Sequence, residues 1–134
     1  ASGRVFAAWL PKNQTAAQIT KELKARTKYP TLTTRGEVDT LLAQIRADGV
    51  APVSQHYLFE GVNAVAAPVF NFKNQITMSI SVVGVDGISG DLGPGSTIIA
   101  ELKKAAEALS WGLGATREQL PESAPDTQVC VAND

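Results

Sequence analysis

The stretch that decides the fold is GVNAVAAPVFNFKNQITMSISVVG, residues 61–84, which contains a single charged residue, Lys73. Two runs of small and β-branched residues, 62–71 and 75–83, lie on either side of a polar segment around Lys73 and Asn74. Apolar runs separated by a short polar turn are typical of a β-hairpin. The stretch therefore predicts two adjacent antiparallel strands.

Side chains on a strand alternate between two faces, so each predicted strand can be divided by residue parity. One face is bulky and carries Val65, Val69, Ile76, Met78, Ile80 and Val82. The other face is small and carries Ala64, Ala66, Thr77, Ser79 and Ser81. Hydroxyl groups with space above them suit a small polar ligand. The same composition also suits a face that contacts water or packs under a helix.

Three helices are predicted before the hairpin. Ser2 is placed to cap the first helix, and Pro11 disfavours helix in the residue before it. The second helix has a capping-box pattern at Thr15 and Gln18. The third has the same pattern more strongly at Thr34 and Glu37, and Gly49 supplies its end.

One short strand and one long helix complete the prediction. Residues 52–59 are expected to form a strand at the edge of the sheet. Pro52 has no backbone N–H to donate, and proline is therefore rare in strands that pair on both sides. A long amphipathic helix ending at Gly112 or Gly114 follows from the apolar spacing. The apolar positions of that helix are Ile98, Leu102, Ala105, Leu109 and Leu113.

The element order predicts an α+β domain, an α/β sandwich in which helices flank an antiparallel sheet. A length of 134 residues fits one domain. The residues from 117 onward are polar and contain proline, so we expect a domain over residues 1–116 and a tail over residues 117–134.

Composition excludes several classes of function. Twelve basic and thirteen acidic residues give a net charge of −1, which offers no electrostatic footprint for nucleic acid. The single cysteine, Cys130, and the single histidine, His56, are far apart in sequence and cannot form a closed metal site, so structural zinc is not expected. No other cofactor is expected. One cysteine and no signal-peptide pattern favour the cytoplasm, and no apolar run is long enough for a membrane helix.

The same stretch resembles a segment of IclR-type bacterial transcription regulators, which reads Gly-x-x-Cys-hydrophobic-Ala-Ala-Pro-hydrophobic-aromatic and continues into a Ser-x-Ser-Gly strand. ASGRVFAAWLP, residues 1–11, is similar to the family's Ala-small-Gly helix that ends at proline. The resemblance extends from residue 1 to about residue 114. It implies a GAF-like effector-binding domain whose first strands precede residue 1. It also implies a homodimer or tetramer that binds DNA through a winged helix-turn-helix domain outside this chain.

The resemblance also implies an effector site. The family's contact positions correspond to Gly3, Arg4, Ser54, Ala64, Ser81 and Val83, and the neighbouring candidates are Ser2, His56, Tyr57 and Ser79. Backbone N–H groups at the start of a helix favour an anion, which fits a carboxylate at Gly3.

The sequence departs from the family pattern at several of these positions. The segment Ser54, Gln55, His56 and Tyr57 stands where relatives commonly have an Asp followed by a Glu-Glu pair. Ala64 stands where relatives commonly have Cys, and Val83 replaces the second Ser of their strand motif. These departures lead us to expect a larger and more apolar organic acid, such as an aromatic acid.

Two other functions compete with this interpretation. One is a GAF-type sensor module from another signalling protein. The other is a small hydrolase that uses Ser79 or Ser81 with His56. The chain has no Gly-x-Ser-x-Gly elbow, and both serines lie within a predicted strand, so we expect no enzyme activity.

Overall fold

The structure is a computed structural model that describes residues 1–25, 32–53, 61–85 and 92–116. Within these ranges it contains four helices and one three-stranded sheet. The elements are α1 (Ser2–Trp9), α2 (Lys12–Ala25), α3 (Arg35–Asp48), β1 (Ala51–Val53), β2 (Val62–Phe70), β3 (Ile76–Val85) and α4 (Thr97–Gly112). This order confirms the predicted α+β class.

The sheet separates two helical layers. β2 lies in the middle and pairs antiparallel with β1 on one side and β3 on the other. One face packs against α1, α2 and α3, through a cluster formed by Val5, Ala8, Ile19, Val38, Leu42, Ile45, Ala51 and Ala66. The other face packs against α4, through a cluster formed by Val50, Val65, Ala67, Val69, Ile99, Leu102 and Ala106.

The register of β2 and β3 confirms most of the predicted division into faces. Ala66 lies opposite Ser81 on the side of α1, and Ala67 lies opposite Ile80 on the side of α4. A β-bulge then interrupts the pairing, because Val69 pairs with Met78 while Phe70 pairs with Ile76. The extra residue, Thr77, shifts the alternation by one position. Ile76 therefore packs with the α1 cluster, and its predicted place on the bulky face is wrong.

The hairpin turn lies where the sequence placed it. Asn74 adopts a left-handed backbone conformation with φ of 54°, which asparagine tolerates better than most residues. The Oδ1 atom of Asn71 accepts hydrogen bonds from the backbone N–H groups of Lys73 (2.9 Å) and Gln75 (3.1 Å). Asn74 also exchanges two hydrogen bonds with Thr116, at 3.1 and 3.0 Å, which tie the turn to the segment after α4.

The predicted caps of the first two helices are wrong. α1 has Ala1 at its N-cap without a side-chain hydrogen bond, and the hydroxyl of Ser2 instead contacts the sheet. α2 starts at Lys12, directly after Pro11, so Thr15 lies inside the helix and does not cap it. The predicted end of α1 is confirmed, because Leu10 is extended with ψ of 151°.

The third helix begins and ends as the sequence predicts. The hydroxyl of Thr34 accepts from the backbone N–H of Glu37, and the Glu37 carboxylate accepts from the N–H groups of Thr33 (2.7 Å) and Thr34 (2.9 Å). Gly49 ends the helix with φ of 71°, a left-handed conformation that glycine adopts without steric cost.

The capping box makes stability depend on pH. Hydrogen bonds from the backbone N–H of Thr33, and next from that of Thr34, lower the pKa of Glu37. The folded state therefore favours the ionised carboxylate, and this stabilisation is complete above the pKa of Glu37 in the unfolded chain. It is lost as pH falls through the lower pKa of the folded state. We expect Glu37→Gln to reduce the loss of stability between neutral and acidic pH, as measured by urea unfolding. An unchanged pH dependence would contradict this assignment.

α4 is the long helix that the sequence predicts, but its buried face is rotated by about one residue. The buried positions are Ile99, Leu102, Ala106 and Ser110. Leu109 and Leu113, which the prediction placed in the apolar stripe, are 45% and 39% exposed. The difference has a local cause in the buried Ser110, a polar residue that no apolar pattern selects.

Ser110 joins α4 to the sheet. Its hydroxyl donates to the carbonyl of Ala106 at 2.8 Å and accepts from the backbone N–H of Phe70 at 3.0 Å. β1 pairs with β2 only at residues 64–66, so it offers no partner to Phe70. The hydroxyl thus satisfies a buried donor that would otherwise lose its hydrogen bond.

Removing this hydroxyl should be costly. We expect Ser110→Ala to lower the free energy of unfolding by about 1–3 kcal/mol, because the N–H of Phe70 stays buried without an acceptor. Chemical denaturation measures the loss. The matched control is Ser96→Gly, which removes the N-cap side chain of the same helix and should cost only a few tenths of a kcal/mol. Equal losses in the two variants would show that Ser110 has no special role.

Candidate functional site

The candidate site lies where α1 begins over the sheet. The hydroxyl oxygen of Ser2, the first residue of α1, is 2.8 Å from the hydroxyl oxygen of Ser81 on β3. This hydrogen bond joins residues that are 79 positions apart in the chain. It fixes the start of α1 beside the small face of the hairpin, where the sequence predicted a ligand.

The strand register defines the floor of the site. Ala51, Ala66 and Ser81 form one row across the three strands, and Ala51 and Ala66 in that row are fully buried with the α1 cluster. The next row outward consists of Val53, Ala64 and Val83 on the same face. Val83 is 66% exposed, and the other two are half-buried. An apolar row therefore extends beyond the start of α1 and remains accessible.

The start of α1 offers backbone donors next to this row. The N–H groups of Arg4 and Val5 donate to the carbonyl of Ala1. Within the part of the chain that the structure describes, the N–H groups of Ser2 and Gly3 make no hydrogen bond. A Cβ atom built at Gly3 would meet no atom of the described residues within 4 Å. N–H groups at a helix start carry partial positive charge and attract anions.

Arg4 has a structural role at this end of α1. Its Nη1 atom donates to the backbone carbonyl of Pro52 at 3.0 Å, which attaches the helix to β1. A guanidinium has five N–H donors, and the bond to Pro52 uses one of them.

The structure brings together most of the residues that the sequence nominated. Those near the start of α1 and the outer row are Ser2, Gly3, Arg4, Ala64, Ser81 and Val83. Ser79 shares their face but lies two residues along β3, opposite Pro68 and further under α1. Ser54, His56 and Tyr57 lie outside the described residues.

Sequence reasoning did not nominate Val53, which occupies the same row as Ala64. β1 has only three residues, too few for a visible alternation of apolar and polar positions. The structure reveals the place of Val53, because Ala51 is buried and a residue two positions along a strand lies on the same face.

This arrangement suits the binding of a small molecule. The described site residues offer hydroxyl and N–H donors above an apolar floor and include no carboxylate. The hydroxyl of Ser81 contacts another hydroxyl, so no general base activates it at this contact. The described residues contain no cluster of three metal-binding side chains. None of the described helices has the length and apolar character required to cross a membrane.

Comparison with known proteins identifies the same family that the sequence resembles. The family model described as "Bacterial transcriptional regulator IclR C-terminal" matches residues 1–111. HmgR of Pseudomonas aeruginosa has a similar structure, with a TM-score of 0.74 and 28% identity over 87% of this chain. IclR of Thermotoga maritima is similar with a TM-score of 0.65 and 25% identity over 85% of the chain.

These relatives are longer than the chain. It spans 44% of HmgR, 45% of the T. maritima protein, and 68% of the separate C-terminal domain of the E. coli transcriptional regulator KdgR. KdgR is 22% identical with a TM-score of 0.64, which supports the fold alone. A search of curated proteins finds no significant match.

Proposed function

The chain belongs to the IclR family of transcriptional regulators, whose C-terminal, effector-sensing domain it matches, and we propose that it binds a small organic acid with an apolar body. The carboxylate lies at the start of α1, and the rest of the molecule lies along the outer row of the sheet. The observation that carries this proposal is the hydrogen bond between Ser2 and Ser81. It places anion-attracting backbone donors at the edge of an apolar floor.

The chemistry of the described site favours one charge on the effector. The donors at Ser2, Gly3 and Ser81 suit a single carboxylate, because together they offer hydroxyl and N–H groups to its two oxygen atoms. The floor beyond them is formed by Val53, Ala64 and Val83 and offers no side-chain hydrogen-bonding group. A dicarboxylic or heavily hydroxylated acid would lose hydration there without compensation. An aromatic acid would bury its ring against the floor.

Regulation follows from differential binding. An effector changes operator affinity only if it binds two arrangements of the oligomer with different affinity. By reciprocity, DNA changes effector affinity by the same factor. We propose that this domain acts in the cytoplasm as part of a homodimer or tetramer, and that a separate winged helix-turn-helix domain contacts DNA. The matched structures are transcriptional regulators, and we infer no catalytic activity for the chain.

A thermal-shift screen tests the proposed effector class. A ligand at 100 times its dissociation constant stabilises the folded state by about 2.7 kcal/mol, which raises the unfolding midpoint by several degrees. We expect benzoate or phenylacetate to produce such a shift, and glyoxylate to produce a smaller one. Cyclic AMP is included for the competing assignment as a sensor from another signalling protein. A shift with cyclic AMP alone would overturn the proposal.

A further inference from the structure

The place of α1 on the sheet comes from contacts outside the helix. Its eight residues span roughly 12 Å, too short for a helix that is stable on its own. Val5 and Ala8 are buried in the α1 cluster and hold the helix against the sheet. Apolar burial is not directional, so the polar contacts at the two ends of α1 decide where the helix begins along the sheet.

Arg46 of α3 holds the end of α1. Its Nη1 atom donates to the backbone carbonyl of Ala8 at 2.7 Å, in a partly buried contact between residues 38 positions apart in the chain. Ala8 lies in the last turn of α1, where backbone carbonyls find no N–H donor within the helix and carry partial negative charge. A charged donor makes this bond stronger than one between neutral groups. The following residue, Trp9, meets the ring of Phe70 edge to face with centroids 6.0 Å apart.

One continuous segment, residues 46–53, contacts both ends of α1. At the end of the helix it contributes the side chain of Arg46, and at the start it contributes the carbonyl of Pro52, which accepts from Arg4 at 3.0 Å. The same segment then supplies Val53 to the outer row of the sheet. Contacts of this segment therefore fix the distance between the backbone donors of α1 and the outer row.

We infer that Arg46 is a positioning residue of the effector site. From Ser2 to Ala8 the helix rises by about 9 Å, and a helix of about two turns moves as one rigid unit, so a shift at Ala8 also shifts the donors at Ser2 and Gly3. Arg46 thereby sets the separation between the groups that bind the carboxylate and the apolar row that receives the rest of the acid. This step rests on the proposed function. It makes Arg46 a determinant of effector length from the opposite end of α1.

Calorimetric titration with three acids of increasing length tests the inference. Benzoate, phenylacetate and 3-phenylpropionate share a ring and a carboxylate and differ in the number of methylene groups between them. We expect Arg46→Gln to change the ratios of their affinities by about threefold or more, because the donors move relative to the outer row. Arg46→Lys should restore the ratios, since it keeps a charged donor. A smaller folded fraction alone would weaken all three acids by the same factor and leave the ratios unchanged.

The matched control is Arg35→Gln on the same helix. Arg35 forms an exposed ion pair with Asp39 at 3.4 Å, so its replacement should leave the ratios as in the wild type. Hydrogen exchange without any effector supplies a second readout. We expect Arg46→Gln to accelerate exchange of the α1 amides and to leave those of α4 unchanged, because α4 packs on the opposite face of the sheet.

Two results would overturn the inference. One is exchange in α1 that Arg46→Gln does not alter, which would show that Arg46 does not hold the helix. The other is a wild type that binds the acids and an Arg46→Gln variant with the same ratios of affinity. A wild-type chain that binds none of the three acids overturns the proposed function and with it the role in effector length. The exchange measurement then still decides whether Arg46 positions α1.

Discussion

Replacing Ile45 with alanine is expected to lower the free energy of unfolding by about 2–5 kcal/mol. Ile45 is 2% exposed and is among the largest fully buried side chains of the described residues. It lies in the cluster that joins α1 and α3 to Ala51 and Ala66 of the sheet. Removing three carbon atoms there leaves a cavity that the surrounding elements can only partly fill. Urea unfolding monitored by circular dichroism measures the loss.

Leu109→Ala provides the matched control for this prediction. Leu109 is as large as Ile45 but is 45% exposed on α4, so its truncation should cost much less. Similar losses in both variants would contradict the described arrangement, because they would place Leu109 in the core. That result would support the helix phase that the sequence alone predicted.

The second large effect is expected at the floor of the candidate site. Replacing Ala64 with phenylalanine should weaken binding of phenylacetate at least tenfold, which corresponds to about 1.4 kcal/mol. Ala64 lies between Val53 and Val83 in the outer row, so a phenyl group there occupies the space assigned to the effector's ring. Isothermal titration calorimetry gives the change in affinity, and circular dichroism verifies that the variant is folded.

The control for this substitution is Ala100→Phe. Ala100 is exposed on α4, which packs on the opposite face of the sheet, so an added phenyl group there should leave binding unchanged. If both variants bind phenylacetate like the wild type, the ring does not lie on the outer row. The proposed location of the site is then wrong, even if the chain binds the acid elsewhere.

The sequence predicted which helices and strands form more accurately than it predicted the residues where they begin and end. The third helix was predicted correctly because its capping box and its terminal glycine act within a few residues of each other. The same pattern at Thr15 and Gln18 was misleading, because a start directly after Pro11 extends α2 by one turn. Ser2 fits an N-cap equally well, but its hydroxyl bonds to Ser81 instead. A contact between residues so distant in sequence leaves no local pattern.

The faces of the elements were predictable until an irregularity intervened. Parity assigned Ala64, Ser79 and Ser81 to one face, and the register agrees. The bulge at Thr77 shifts the phase only beyond that point, which explains why Ile76 was misplaced. In α4, the buried Ser110 replaces an apolar residue in the stripe. Its hydroxyl accepts from Phe70 because β1 ends before it can pair with that residue. The sequence of α4 carries no information about the end of β1.

The candidate site was predicted from two separate parts of the sequence. The resemblance to the family nominated positions in the first helix and in the hairpin, and the structure brings several of them together. Val53 was not nominated, because its place in the row follows from a three-residue register that only folding establishes. The sequence alone shows that Ala64 and Val83 replace polar residues of the family pattern. These two replacements support the proposal of an apolar effector.

Calorimetric titration of the chain with phenylacetate and with glyoxylate distinguishes an apolar effector from a small hydrophilic one. We expect saturable binding of phenylacetate and binding of glyoxylate that is at least tenfold weaker, because only the larger acid buries apolar surface on the outer row. Tight binding of glyoxylate without measurable binding of phenylacetate would contradict the proposed apolar effector.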